Sequence, residues 1–151
     1  MLAHEASEEG IVAVERMVGM DSMVHYHAVP ACIFTFPEIA TVGLSEDQAR
    51  QLGISYRIGK FQFAANGKAM TMGETDGLVK VIADQDDTII GVHILGPHAA
   101  DLILEATLMV KNRMKIEDVK GTIHPHPTLG ESLQEAIADL KGEAIHLLPK
   151  K

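Results

Sequence analysis

Cysteine is almost absent from this sequence, which holds one cysteine and no tryptophan in 151 residues. A single thiol cannot form an internal redox disulfide. Cys32 lies in the apolar run 31–34, which predicts an inert residue of the core. The sequence also lacks a Gly-x-Gly-x-x-Gly turn after a strand, the motif that holds the phosphates of a dinucleotide. We therefore expect no dinucleotide cofactor and no redox activity in this chain alone.

Positive charge and long apolar runs are scarce as well. The chain has 13 lysines and arginines against 21 aspartates and glutamates, and its formal net charge of −8 disfavours nucleic acid and anionic membranes as partners. No apolar run approaches the ~20 residues that span a bilayer, and no basic segment followed by an apolar one opens the chain as a secretory signal would. These absences predict a cytoplasmic protein that binds neither nucleic acid nor membrane.

What the sequence does contain is the pattern of one packed domain. Its length suits a single domain, and 46% hydrophobic residues suffice for a core. Alternating and helical periodicities predict an α+β fold, a mostly antiparallel sheet of about five strands with helices packed on it. The predicted strands cover 31–36, 39–43, 54–63, 78–83 and 89–95, and the predicted helices cover 4–18, 45–53, 99–114 and 128–140.

Several local expectations accompany this fold. Gly10 is expected to interrupt the first helix, and residues 64–70 are expected to form a loop. Phe61 and Phe63 are two apart in a strand and should share one face. His93 is expected to be a half-exposed strand histidine, not a ligand.

The segment 123–131, with the sequence IHPHPTLGE, carries the densest group of acid–base side chains. Thr128 followed by Glu131 is a capping box, the signature of a helix N-terminus. Helical side chains lean toward that terminus, so the Glu131 carboxylate is aimed back at His126. It can close the box and still accept a hydrogen from one imidazole nitrogen. The other nitrogen is then free to act as a general base.

Two plainer interpretations stay open at this point. Capping boxes are common, so the segment is also explained as an ordinary helix start with incidental histidines. His124 and His126 would face the same way on an extended backbone and form a metal-binding pair. The metal interpretation is the weaker one, because no further ligand stands nearby at a suitable spacing.

The pattern His124-x-His126-Pro127-Thr128-x-x-Glu131 resembles the C-terminal signature of the dihydrolipoamide dehydrogenases, which are flavin-dependent pyridine nucleotide–disulfide oxidoreductases. In the glutathione reductase branch the residue two before the catalytic histidine is usually not histidine, so His124 favours the lipoamide branch. A second segment, 34–43 or FTFPEIATVG, resembles the opening of the interface domain of the same family.

The resemblance implies a role in a larger enzyme. Residues 29–141 would be the interface domain that forms a homodimer, residues 1–28 a remnant of the last helix and linker of the flavin domain, and 142–151 a tail. Residues 144–151 lack strong periodicity and are expected to be frayed. His126 would accept the thiol proton of dihydrolipoamide in the active site of the partner subunit, and Glu131 would orient it. The electrons would pass through FAD to NAD, both bound elsewhere in the intact enzyme.

The same carry-over gives further partners and contacts. The substrate would be dihydrolipoamide on 2-oxo acid dehydrogenase or glycine cleavage complexes. A cis peptide bond is expected before Pro127. The residues expected to lie beside FAD in the intact enzyme are Met1, Leu2, Ala3, His4 and Pro127. Two alternatives remain, a purely structural dimerisation module and the interface domain of a related disulfide reductase.

Overall fold

The computed structural model describes residues 2–147, and its centre is one five-stranded sheet. The strand order is β1-β2-β5-β4-β3, and every neighbouring pair is antiparallel. This confirms the predicted α+β fold. The strands are β1 (Ala31–Ile33), β2 (Glu38–Gly43), β3 (Tyr56–Gln62), β4 (Leu78–Asp84) and β5 (Ile89–Gly96).

Helices cover both faces of this sheet. The helices are α1 (Ala3–Met17), α2 (Glu46–Gln51), α3 (Gly67–Met72), α4 (Ala99–Lys111), α5 (Ile116–Lys120) and α6 (Glu131–Asp139). α4 packs on β2 and β5, and α6 packs on β3 and β4, so these two helices enclose one apolar core with the sheet. On the other face, Lys80 contacts Glu46 at the start of α2, and His93 contacts the backbone of Leu44.

Strand alternation explains the core between the sheet and α6. Val79 and Val81 are fully buried while Lys80 between them is not. Phe61 and Phe63 are both buried in the same core, but Phe63 lies in the turn after β3 and not in the strand as predicted. α6 comes so close to β3 that a Cβ added at position 59 would lie 2.0 Å from the carbonyl oxygen of Ala136. Glycine at 59 is therefore required by this close approach.

Three predicted boundaries near the ends of elements were wrong. β1 ends at Ile33 and not at residue 36, because Ile33 pairs with Ile39 of β2 and the residues between them form the turn. β3 begins at Tyr56, two residues later than expected. The long helix α4 ends at Lys111, and Arg113 with a positive φ of 50° separates it from the unforeseen α5.

Two predictions about helix content were also wrong. Gly10 does not interrupt α1, which is continuous over its 15 residues. The expected loop 64–70 instead holds a 3-10 turn, Phe63–Ala65, and α3. Asn66 caps α3 and Gly73 ends it in the left-handed conformation, so local capping makes a helix too short to show a period.

Both ends of the described chain contact the domain. His4 Nε2 lies 2.8 Å from the carbonyl oxygen of Pro30, which ties α1 to the segment before β1. The backbone N–H groups of Ile145 and His146 donate to the Glu135 carboxylate, so the expected fraying is wrong as far as Leu147, which packs on the core. The rest of the predicted tail lies outside the described residues. No helix within 2–147 combines the length and apolarity of a transmembrane span.

Candidate active site

The predicted contact between His126 and Glu131 is present. His126 Nδ1 lies 2.8 Å from Glu131 Oε1, and the N–H of Thr128 donates to the second carboxylate oxygen at 2.8 Å. The histidine side chain is 77% exposed, whereas that of Glu131 is 25% exposed. Among residues 2–147 no hydrogen-bond partner faces Nε2 of this ring. The pair therefore offers a ring nitrogen to a molecule arriving from outside.

The electrostatics of Glu131 suit this arrangement. Burial opposes ionisation of the carboxyl, but the Thr128 N–H and the His126 ring together outweigh burial and hold its pKa below the ordinary value. An ionised carboxylate only accepts hydrogen bonds, so Nδ1 of His126 must be the donor. The other ring nitrogen, Nε2, is the one left facing outward. The site is therefore an exposed imidazole oriented by a carboxylate.

The predicted capping box is only half formed. The Thr128 hydroxyl donates to the carbonyl oxygen of Pro125 at 2.8 Å, and no N–H at the start of α6 donates to it. α6 begins at Glu131, and its N-cap residue is Gly130, two residues after the predicted cap. The hydroxyl thus stabilises the loop before the helix. Of the capping box, only the bond from the Thr128 N–H to the Glu131 carboxylate is present.

Asn66 is the residue of this site that sequence reasoning missed. Its side chain is buried, and its amide nitrogen donates to the Thr128 carbonyl oxygen and to Ser132 Oγ, both at 3.0 Å. Its side-chain oxygen accepts from the N–H of Ala69. The role of Asn66 as the cap of α3 was detectable in the sequence. Its hydrogen bond to the Thr128 carbonyl, 62 residues further along the chain, was not.

His124 does not act together with His126. Its side chain is 5% exposed, and Nε2 lies 2.8 Å from Oε1 of Glu105 on α4. Glu105 itself is half-buried. The expectation that the two rings face the same way is wrong, because each is held by a different carboxylate. In residues 2–147 no three histidine, cysteine, aspartate or glutamate side chains lie close enough to hold a metal ion.

A cavity borders the histidine–glutamate pair. It has a volume of about 550 Å³, and both His126 and Glu131 line it. Its walls are largely apolar. Apolar residues of the wall include Phe61, Ile116, Val119 and Ile137, and charged ones include Lys120, Lys141 and Glu135. His126 thus lies beside a concave surface and not on a flat one.

The other predicted site residues lie as follows. The peptide bond between His126 and Pro127 is cis, as expected. Leu2 precedes α1, Ala3 and His4 begin it, and Met1 lies outside the described residues. His4 bonds to the Pro30 carbonyl, and within the described range no hydrogen bond joins it to His126 or Pro127.

The sequence predicted that Cys32 is a core residue. In the structure it is only half-buried and packs against the core from its edge. Burial, with smaller contributions from Glu38 and Asp101, raises the pKa of its thiol. A thiol with a raised pKa forms less of the reactive thiolate. The interpretation of Cys32 as unreactive is therefore supported even though its predicted burial was too complete.

Known proteins resemble this chain over most of its length. Residues 29–137 match the family described as the dimerisation domain of the pyridine nucleotide-disulphide oxidoreductases. Dihydrolipoyl dehydrogenase from Bacillus subtilis is 50% identical over 147 residues, which make up 96% of this chain and 31% of that protein. The mitochondrial dihydrolipoyl dehydrogenase of Caenorhabditis elegans is 47% identical over 148 residues, 97% of this chain and 30% of that protein.

A solved structure has the same fold. LpdA from Mycobacterium tuberculosis superposes with a TM-score of 0.87 at 28% sequence identity, covering 92% of this chain and 31% of LpdA. The chain spans roughly three-tenths of the length of the curated relatives it matches. Because the family match covers residues 29–137, most of the chain, this protein belongs to the dimerisation-domain family of the pyridine nucleotide-disulphide oxidoreductases.

Proposed function

We propose that this chain is the dimerisation domain of a dihydrolipoyl dehydrogenase and that it supplies His126 and Glu131 to the active site of the partner subunit. The observation that carries the proposal is the 2.8 Å contact between the two side chains, with the second ring nitrogen exposed. The Bacillus subtilis and Caenorhabditis elegans relatives, which are dihydrolipoyl dehydrogenases by name, support the choice of enzyme.

The chemistry follows from the orientation of the ring. Nε2 of His126 accepts the proton of a dihydrolipoamide thiol, and Nδ1 keeps its hydrogen bond to Glu131. The carboxylate stabilises the imidazolium that forms. The thiolate left behind is the nucleophile that attacks the disulfide of the partner subunit, whereas the thiol would not attack. A positioned base of this kind contributes roughly 10²–10⁴-fold to the rate.

FAD and NAD, bound by the other domains of the intact enzyme, would supply the two-electron transfer that carries the reducing equivalents away. The residues of this chain fit an edge contact with such a group and not a binding site of their own. His126 and Pro127 are both exposed on the surface, and the sequence has no dinucleotide-binding turn. Residues 2–4 and 127 would line that edge, and residues 1–28 would belong to the flavin domain.

The homodimer would bring the base to its target. Exposed apolar side chains cluster on the outer side of α4 and just before His124. Leu104 is 64% exposed, Leu108 is 53% exposed and Ile123 is 94% exposed. Apolar surface of this kind is typical of protein interfaces. We propose that a second copy covers it, and that the lipoyl substrate reaches the joined active site on a 2-oxo acid dehydrogenase or glycine cleavage complex.

A chimeric enzyme tests the proposal. This chain replaces the matching 147-residue segment of the Bacillus subtilis dihydrolipoyl dehydrogenase, and NAD reduction by dihydrolipoamide is measured. His126→Ala should lower kcat by roughly 10²–10⁴-fold, because the thiol loses its base. His98→Asn is the matched control, since His98 is also exposed and paired with a carboxylate, Asp101, but lies outside this loop. Its rate should equal that of the parent chimera.

Two results would contradict the proposal. A near-normal rate in the His126→Ala chimera would show that His126 is not the base and would favour a purely structural dimerisation domain. Full activity with another disulfide, and none with lipoamide, would favour a related disulfide reductase. The isolated chain should neither retain FAD nor turn over lipoamide.

A further inference from the structure

The histidine two residues before the proposed base has an unusual setting. His124 is nearly buried, and both of its ring nitrogens face oxygen atoms that accept hydrogen bonds. Nε2 lies 2.8 Å from Oε1 of Glu105, and Nδ1 lies 3.1 Å from the carbonyl oxygen of Thr122. With its hydrogen on Nε2 the ring donates to the Glu105 carboxylate. The ring therefore bonds the loop to a charged side chain of α4.

This contact links the loop to the rest of the domain. We define the His-Pro loop as residues 122–130, which have no helix or strand hydrogen-bond pattern to fix them. In the part of the chain from 2 to 147, the bond from His124 to Glu105 is the one hydrogen bond that joins residues 123–126 to a helix other than α6. α4 itself packs firmly on the sheet. The ring of His124 therefore anchors the loop to a rigid element.

The loop is held differently at its other end. Asn66 binds the Thr128 carbonyl oxygen, and Glu131 binds the Thr128 N–H and the ring of His126. These contacts fix the C-terminal half of the loop and the direction of Nδ1. They do not fix the backbone between residues 122 and 125. Without His124, residues 122–125 would keep, of the hydrogen bonds within the described chain, only the bond from the Thr122 N–H to the Val119 carbonyl of α5 and the bond from the Thr128 hydroxyl to the Pro125 carbonyl.

We propose that His124 is a positioning residue for His126, acting through its bond to Glu105. This inference rests on the proposed function. A base must be held within a fraction of an ångström of its target, and a displacement of 1 Å can cost about 10²-fold in rate. A hydrogen bond to an ionised carboxylate is shorter and stronger than one between neutral groups, and the His124 side chain that makes this one is only 5% exposed. This bond suits a loop that must present an exposed ring to another subunit.

The chimera described above provides the first test. His124→Ala should lower kcat at least tenfold and leave KM for dihydrolipoamide within about twofold, because the base is displaced while the substrate site is not. His124→Gln keeps one donor toward Glu105 and should recover part of the loss. Glu105→Gln should resemble His124→Gln. His98→Asn is again the control, because its carboxylate partner also lies on α4.

A second measurement separates positioning from simple folding. All rates are taken at least 15 °C below the melting temperature of each variant, and the ring nitrogen signals of His126 are recorded by ¹⁵N NMR in the 151-residue chain. The positioning role predicts a changed Nδ1 signal of His126 in His124→Ala and an unchanged one in His98→Asn. A merely structural role predicts a lower melting temperature with the parental kcat and the parental His126 signal.

The outcomes for the two proposals differ. If His126→Ala is slow and His124→Ala has the parental kcat, the positioning role is overturned and the proposed function stands. If His126→Ala has the parental rate, the proposed function itself fails. Slow turnover in both, with partial recovery in His124→Gln, supports both.

Discussion

The sheet with its helices and the His-Pro loop are held in place by different kinds of side chain. The first region is stabilised by apolar contacts, such as that of the buried Leu133 with the strands beneath α6. The second has one side chain in the core, Leu129, and is otherwise held by polar contacts from Asn66, His124 and Glu131, each to a partner at hydrogen-bond distance. Apolar contacts tolerate small shifts, whereas hydrogen bonds set directions. The domain therefore combines a stable support with a directed surface group.

The first prediction concerns the apolar region. Leu133→Ala removes a buried side chain of α6 and leaves a cavity, so the free energy of unfolding should fall by about 2–5 kcal/mol. Urea unfolding measures this change. Gln134→Ala, the next position on the same helix and only half-buried, should cost no more than about 1 kcal/mol. Equal losses in the two variants would contradict the apolar account of this region.

The second prediction concerns the polar region. Asn66→Ala leaves the Ala69 N–H and the Thr128 carbonyl without their partner in a buried position, which should cost about 1–3 kcal/mol. Amide hydrogen exchange should speed up more in the His-Pro loop than in β4. Asn112→Ala is the control, since that exposed side chain bonds only within its own helix. Uniform exchange across loop and sheet would erase the distinction between the two regions.

The third prediction uses pH to test the same loop. The folded state holds the pKa of Glu131 below its ordinary value of about 4.3, so this group adds stability at higher pH and loses it as pH falls through the lowered value. Glu131→Gln should therefore lower stability at pH 6 and have little effect at pH 3. Urea unfolding at both values checks this, with the exposed Glu117→Gln as control. A pH-independent difference would rule out an ionised Glu131 as the anchor.

The smallest effect is expected on the opposite face of the sheet. Burial lowers the pKa of His93, an effect that its bond to the Leu44 carbonyl opposes in part. Stability tied to the neutral ring is present above the ordinary value of about 6.5 and is lost as pH falls through the lowered one. His93→Gln should flatten the stability profile between pH 6.5 and 5, and the exposed His98→Asn should not. The same slope in all three proteins would contradict a buried neutral His93.

The two regions also differ in what the sequence predicts. Periodicity gave the five strands and α4, because side chains that alternate in sequence also alternate in space. The capping-box motif also placed Glu131 beside His126, since the two are five residues apart at a helix start. Short elements such as α3 and α5 have no period to detect.

Long-range polar partners were beyond the reach of the sequence. Asn66 and Thr128 are 62 residues apart, and Glu105 and His124 are 19 apart on different elements. In neither pair does the local sequence around one residue indicate the other. The half-formed capping box shows the same limit at short range, because the Thr128 hydroxyl donates to the Pro125 carbonyl, which is not part of the motif.

One carboxylate holds both the backbone N–H of Thr128, just before α6, and the imidazole of His126. Opening of this turn and release of the ring are consequently a single event, governed by one local opening equilibrium. Mild heating or low denaturant should thus disorient His126 well before the sheet melts.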